Sequence, residues 1–136
     1  MGIIRAYAAN TYQGLVRNYN EDRVSIIINM NKPPNFGKKY WPKTSFFGIY
    51  DGHGGSKCAD FLRDSLHKLI FCNEYYPDNV TEAIKNGFMK AEFLNNYALD
   101  KNNNMNIIYR SASCAVVIII VDNKIYIANV GIVMQY

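Results

Sequence analysis

An abrupt change of hydrophobic period at residues 51–55 is the feature that most constrains the fold of this chain. Before it, residues 45–50 (Ser-Phe-Phe-Gly-Ile-Tyr) form the short apolar and aromatic run typical of a β-strand. The run ends at Asp-Gly-His-Gly-Gly, after which apolar residues recur every three or four positions, as in an amphipathic helix beginning near Ser56. The sequence therefore predicts a strand ending at Asp51, a glycine-rich turn and a helix.

The same two periods predict the other elements. Further strands are expected at residues 3–9, 23–30, 113–121 and 124–130. A second helix is expected from about residue 80 to residue 98, with Asp78 or Asn79 as its cap. Strands followed by two helices and further strands indicate an α+β fold, with the helices on a mainly antiparallel sheet.

Charge and cysteine content narrow the class of protein. The net charge is +4 and the basic residues are scattered, with only Lys38 and Lys39 adjacent, so we expect no nucleic-acid binding. The three cysteines are odd in number and show no C-x-x-C spacing, which favours reduced thiols in an intracellular, cytoplasmic or nuclear protein. The apolar run at residues 116–121 is too short to span a bilayer, so no transmembrane segment is expected.

Asp51 and Gly52 are candidate metal ligands. An aspartate at the end of a strand projects its carboxylate from a rigid element, and the neighbouring glycine lets a backbone carbonyl approach the same ion. Oxygen ligands of this kind suit hard cations such as Mg²⁺ or Mn²⁺. The alternative is structural, since the same residues could simply form a strand-to-helix turn.

Glu21, Asp22 and Arg17 form a second group of candidates. Because neighbouring residues in a strand point to opposite faces, at most one of the two carboxylates points straight into a given cleft. The other would act through water or from a bend. Arg17 offers a planar fork that matches a phosphate group. The alternative for all three is an ordinary solvated surface.

These segments in combination resemble the type 2C metal-dependent protein phosphatases. The resemblance extends from about Gly14 to Gly131. It rests on four ordered segments: Arg17-x-x-x-Glu21-Asp22, Phe46 to Gly55, Ser111 to Ala115, and Tyr126 to Gly131. The family pattern implies a partial α-β-β-α sandwich, of which residues 1–136 would be the N-terminal portion.

The resemblance also implies a reaction, namely the dephosphorylation of phosphoserine and phosphothreonine in protein substrates by a metal-activated water. A pair of Mg²⁺ or Mn²⁺ ions would serve as cofactor. By position, Asp51 resembles the carboxylate that bridges both ions, and the Gly52 carbonyl a further ligand. Glu21 and Asp22 resemble carboxylates that hold metal directly or through water.

Two further residues acquire roles from the same resemblance. Arg17 resembles the arginine that grips the substrate phosphate. His53 resembles the proposed general acid, which a histidine near neutrality can be. For His53 the alternative is a histidine that only caps the turn.

The sequence departs from the family pattern at three places. Ala112 and Cys114 replace a glycine and a threonine, which we interpret as a change in packing. Ile132 stands where the family has an aspartate of an accessory metal site. The chain also ends before the later aspartates that complete the metal pair. An alternative function is therefore a truncated, catalytically deficient relative that acts as a binding or regulatory module.

Self-association is a further expectation. Half of a two-sheet sandwich would expose apolar strand faces and unpaired strand edges to solvent. Contact between two copies would bury them. We therefore expect an interface on the exposed sheet surface.

Overall fold

The chain forms a sheet with two helices on one of its faces. The computed structural model describes residues 4–34, 36–38, 40–96 and 111–131. In chain order the elements are β1 (Arg23–Ile27), β2 (Thr44–His53), α1 (Lys57–Phe71), α2 (Val80–Asn96), β3 (Ala112–Val121) and β4 (Lys124–Val130). This order confirms the predicted α+β class, with helices on a mainly antiparallel sheet.

Strand pairing is antiparallel throughout the sheet, in the order β1-β2-β3-β4. β2 and β3 pair along their full length, from Thr44 opposite Val121 to His53 opposite Ala112. β1 pairs with the other edge of β2 and begins with Arg23 opposite Tyr50. Because an antiparallel register runs in opposite directions along two strands, the residues just before β1 lie beside those just after Tyr50.

The core lies between the sheet and the helices. Alternate residues of β2 and β3, including Phe46, Tyr50 and Val117, point to this face and are fully buried. α1 covers them with an apolar stripe that includes Leu66 and Ile70. Full burial of one such side chain contributes about 1.5–3 kcal/mol. The helix-covered face therefore holds the fold together.

Polar residues mark the beginning of both helices, as predicted. Ser56 is the N-cap of α1, and its hydroxyl donates to Asp60 Oδ2 at 2.9 Å. Asn79 Oδ1 accepts a hydrogen bond from the Glu82 amide at 3.2 Å, which identifies Asn79 and not Asp78 as the cap of α2. None of the described helices is long and apolar enough to cross a membrane.

The prediction that the strand at residues 45–50 ends at Asp51 is wrong. β2 continues through Asp51 and Gly52 to His53. The reason is the pairing of these residues with residues 112–114 of β3, which are about sixty positions away in the sequence. A glycine-rich stretch that would end an isolated strand is therefore kept extended by its neighbour.

Two other strand predictions also need correction. β1 ends at Ile27 and not at Met30, because the chain bends at residues 28–29, where the Ser45 hydroxyl donates to the Ile28 carbonyl. Residues 4–9 form no strand and are mostly exposed. The predicted strand start at residue 3, the predicted helix end at residue 98, and Ile132 lie outside the described residues.

The second face of the sheet is apolar and has no covering layer among the described residues. Its exposed aliphatic side chains are Ile49, Val116, Ile118, Ile125 and Ile127, which we call the open face. Ile127 lies opposite Ile118, and Val116 lies opposite Ile49, so the side chains form one continuous patch. Such patches on soluble proteins mark interaction surfaces.

Replacing Gly87 by alanine is expected to destabilise the protein, because α2 packs on α1 at this glycine. An added Cβ would overlap Ile70 Cγ1 and lie 3.1 Å from Ile70 Cα. Alanine gains about 1 kcal/mol in helix propensity, whereas overpacking costs about 1–3 kcal/mol. The atoms near the added Cβ include the backbone of α1, which is packed on the core. The cost of overpacking should therefore exceed the gain in helix propensity.

Thermal unfolding followed by circular dichroism checks this expectation. The control is Lys90→Ala, an exposed position on the same helix. A Gly87→Ala protein that melts at or above the temperature of the unmodified chain would contradict the packing argument.

Candidate metal and phosphate site

All six residues predicted to act at the site line one cleft. They are Arg17, Glu21, Asp22, Asp51, Gly52 and His53. The cleft has a volume of about 520 Å³ and lies where β1 begins and β2 ends. Its outer wall is the mostly exposed segment 12–20, which precedes β1. The fold thus brings together residues that are up to 36 positions apart in the sequence.

A larger cavity, of about 830 Å³, lies at the opposite end of β2. It contains a single carboxylate, that of Asp122. This carboxylate already accepts hydrogen bonds from the Tyr40 hydroxyl at 2.6 Å and the Lys43 amide at 3.0 Å. The cavity therefore lacks the paired carboxylates that distinguish the cleft.

Asp22 and Asp51 form the central pair of the site. Continuing the β1–β2 register places Asp22 beside Asp51, and their carboxyl groups are within hydrogen-bond reach. Burial raises the pKa of Asp22, and the charge of Asp51 and a hydrogen bond to it raise it further. Two carboxylates held together in this way favour a proton or a cation between them.

Oxygen donors of this kind fit Mg²⁺ or Mn²⁺. Asp22 and Asp51 are the residues that could hold such an ion. Histidine, cysteine, aspartate and glutamate side chains are the usual metal ligands. In the described part of the chain, at the cleft or elsewhere, no three of them lie close enough together to hold a metal ion. The described residues thus supply a pair of protein carboxylates, and water would complete the coordination shell.

The structure explains why position 52 is a glycine. It is buried, and an added Cβ would overlap the backbone carbonyl oxygen of Glu21. Only glycine lets the segment before β1 pack this closely against β2. The predicted use of its carbonyl as a metal ligand stays a prediction.

Glu21 points away from the Asp22–Asp51 pair toward the glycine-rich turn. Its Oε1 accepts a hydrogen bond from the Gly55 amide at 3.0 Å. It also accepts one from the Tyr19 hydroxyl, and this bond raises the pKa of Tyr19. The two adjacent carboxylates therefore divide between opposite sides, as predicted for neighbouring residues. Metal binding by Glu21, directly or through water, stays a prediction.

Arg17 and His53 both line the cleft. Arg17 is exposed, and its backbone carbonyl accepts a hydrogen bond from Gln13 Nε2 at 2.5 Å. His53 is the last residue of β2 and lies two positions after Asp51, so both side chains are on the same face of the strand. The cleft therefore contains a guanidinium and an imidazole ring together with the paired carboxylates.

Two residues next to the site were missed by the sequence reasoning, Arg23 and Asp60. Arg23 Nε contacts Asp60 Oδ1 at 2.7 Å, which joins β1 to the first turn of α1. The only local signal was an acidic residue near a helix N-terminus, which is common in any helix. The pairing itself depends on how α1 packs on the sheet.

Comparison with known proteins indicates the family of the chain. The profile of the family described as protein phosphatase 2C matches residues 12–134. Protein phosphatase 2C homolog 2 of Hypocrea jecorina (strain QM6a) is 31% identical over 128 residues, which is 92% of this chain and 27% of the relative. Probable protein phosphatase 2C 42 of Oryza sativa subsp. japonica is 35% identical over 99 residues, which is 72% of this chain and 26% of the relative.

The chain spans about a quarter of the length of these curated relatives. A crystal structure of a bacterial serine phosphatase variant superimposes with a TM-score of 0.65 at 21% identity, covering 90% of this chain and 51% of that one. The superposition supports the fold, and the family profile covers most of the sequence. The chain belongs to the protein phosphatase 2C family.

Proposed function

We propose that this chain serves the hydrolysis of phosphoserine and phosphothreonine in proteins, with Mg²⁺ or Mn²⁺ as cofactor. The observation that carries the proposal is the cleft, which combines the paired carboxylates of Asp22 and Asp51 with Arg17 and His53. Membership of the family supports the same reaction class.

Asp51 and Asp22 would hold the cofactor, and Glu21 and the Gly52 carbonyl are further candidates for its shell. Divalent cations, when bound, neutralise the phosphate and activate water for attack on phosphorus. Asp51 is fixed for this task because it lies within β2 and is paired there with Cys114 of β3. The raised pKa of Asp22 supports the assignment, since burial and the neighbouring Asp51 charge both disfavour its carboxylate and a bound cation would offset both effects.

Arg17 and His53 would act on the substrate. The guanidinium of Arg17 would donate two parallel hydrogen bonds to phosphate oxygens and so orient the group in the cleft. His53 would donate a proton to the departing serine or threonine oxygen. Phosphorylated protein side chains can reach both residues because each is exposed at the cleft.

Replacing Asp51 by asparagine is expected to weaken Mn²⁺ binding far more than Asp22→Asn does. Asp51 is proposed to contact both ions, and it projects from the more rigid element. With two carboxylates in the described residues, we expect the unmodified chain to bind Mn²⁺ weakly, in the millimolar range. Titration calorimetry measures the three affinities. Equal affinities for the two variants would remove Asp51 from the centre of the site.

Phosphate release from a phosphothreonine peptide tests the proposed activity. We expect slow release by residues 1–136 that requires Mn²⁺ and is lost in Asp51→Asn. The rate should be low because few protein ligands leave the ion and the water poorly placed, and misplacement by about 1 Å costs ~10²-fold. Release that is unaffected by chelation and by Asp51→Asn would contradict the proposal.

Replacing Arg17 by alanine should depress kcat/KM in the same assay by at least ~10-fold, because a lost charge-assisted hydrogen bond costs about 1.5–3 kcal/mol. The melting temperature should hardly change, since Arg17 is exposed. Arg5→Ala is the matched control, an exposed arginine of the same irregular segment outside the cleft. Retained activity with reduced stability would show that Arg17 is structural.

We also propose that the open face binds the open face of a second copy. This surface consists of aliphatic side chains without charge, so it is complementary to itself and unsuited to a charged partner. We expect the double variant Ile118→Lys, Ile127→Lys to sediment as a monomer at concentrations where the unmodified chain associates. Asn123→Lys, at the exposed β3–β4 turn, is the control. A monomeric unmodified chain would refute the interface.

An intracellular location, in the cytoplasm or nucleus, is also part of the proposal. The cysteines are free, and Cys72 is exposed. Burial raises the pKa of the Cys58 thiol to about 11, so this residue is an inert part of the core. Exposed free thiols persist in reducing compartments.

A further inference from the structure

We propose that Arg23, held in place by Asp60, is a positioning residue that fixes the Asp22 carboxylate against Asp51 and so sets the affinity of the cleft for a divalent cation. The inference rests on the proposed metal site. It adds to that site two residues from β1 and α1 that do not line the cleft.

The guanidinium of Arg23 clamps the segment that carries Asp22. Its Nη1 donates to the Asn20 carbonyl at 2.8 Å and to the Asp22 carbonyl at 2.8 Å. One nitrogen thus binds both ends of a three-residue stretch. The Asn20 side chain tightens the same stretch, because its Oδ1 accepts from the Asp22 amide at 2.9 Å. Together these three bonds define the backbone from which the Asp22 carboxylate projects.

Asp60 holds the other side of the guanidinium. Its Oδ1 accepts from Arg23 Nε at 2.7 Å, and its Oδ2 accepts from the Ser56 hydroxyl at 2.9 Å. Burial acts to raise the pKa of Asp60, but the hydrogen bonds from Arg23 and Ser56, together with the charges of Arg23 and Arg63, outweigh it and keep this pKa below its ordinary value. Asp60 is therefore a charged anchor on the first turn of a helix that is packed on the core.

The segment before β1 needs such an anchor. Asp51 is part of β2, which is paired with β1 on one side and β3 on the other. Asp22 precedes the first residue of β1, and residues 5–19 before it are exposed. One carboxylate of the pair thus lies on a rigid strand and the other on an irregular segment. The Arg23–Asp60 pair links that segment to the core.

The Arg23–Asp60 pair, which we call the clamp, is better suited to positioning Asp22 than to stabilising the fold. Arg23 and Asp60 keep 25% and 35% of their side-chain surface exposed, and ion pairs in such positions contribute little to stability. Groups that orient a metal ligand have larger effects on binding, typically ~10–100-fold in affinity. Loss of the clamp should therefore weaken metal binding more than folding.

The test measures Mn²⁺ affinity from the electron paramagnetic resonance signal of the free ion, with thermal unfolding in parallel. We expect Arg23→Gln and Asp60→Ala each to raise the Kd for Mn²⁺ by ~10-fold or more, with small changes in melting temperature. Arg23→Lys separates position from charge. Lysine keeps the positive charge but cannot reach the two carbonyls and Asp60 in the same fixed geometry, so its Kd should rise similarly.

A matched control comes from the same helix. Asp64→Ala breaks the Arg63–Asp64 pair, with contacts of 2.8 and 3.0 Å, and leaves Arg23–Asp60 intact. It should keep the Kd within about 2-fold of the unmodified chain, as expected for an exposed pair outside the site.

The outcomes distinguish the clamp from the metal site. Mn²⁺ affinity that is lost in Asp51→Asn but unchanged in Arg23→Gln and Asp60→Ala would overturn the clamp and leave the site. Full affinity in Arg23→Lys would also overturn it, since charge alone would then suffice. Affinity unchanged in Asp51→Asn would refute the site itself. If Arg23→Gln fails to fold, the Mn²⁺ affinity of Asp60→Ala still tests the clamp, because Asp60 touches neither Asn20 nor Asp22 directly.

Discussion

The site depends on the antiparallel register of β1 on β2. With Arg23 opposite Tyr50, Asp22 comes to lie beside Asp51 and Glu21 beside Gly52. The absence of a side chain at Gly52 permits this approach, since any Cβ would overlap the Glu21 carbonyl. A shift of one residue would move Asp51 away from its partner and reverse the faces of the whole strand. The pairing of two strands thus creates the cleft.

The alternation of side chains along β2 places the core residues on one face of the sheet and the candidate site residues on the other. Phe46 and Tyr50 face the helices and are buried, whereas Asp51 and His53 face the other side. These polar residues consequently reach the cleft without crossing the core. The same alternation places the aliphatic open face on the side of the sheet that carries Asp51 and His53, so the candidate metal site lies at the margin of the proposed interaction surface.

The local elements were largely predictable because their signals are local. The last two strands were predicted within one residue of β3 and β4, and the tight turn between them includes Asp122, which has a positive φ of 51°. Errors arose where the conformation of a segment depends on whether a distant strand pairs with it. β2 runs on through the glycines because β3 pairs with it, and residues 4–9 stay irregular despite an apolar composition. Strand propensity says little about whether a neighbouring strand is present.

For the site, the sequence by itself determined which candidate residues are present and in which order. An aspartate before a glycine-rich turn, two adjacent carboxylates and an arginine four positions upstream left structural alternatives open, and the predicted metal and phosphate roles came from their combined resemblance to a family. Only the tertiary structure decided the partners, turning Glu21 to the Gly55 amide and Asp22 to Asp51. It alone joined Arg23 to Asp60, 37 residues away. The reason is physical, because hydrogen bonds and carboxylate pairs depend on distances in space that strand register and helix packing set.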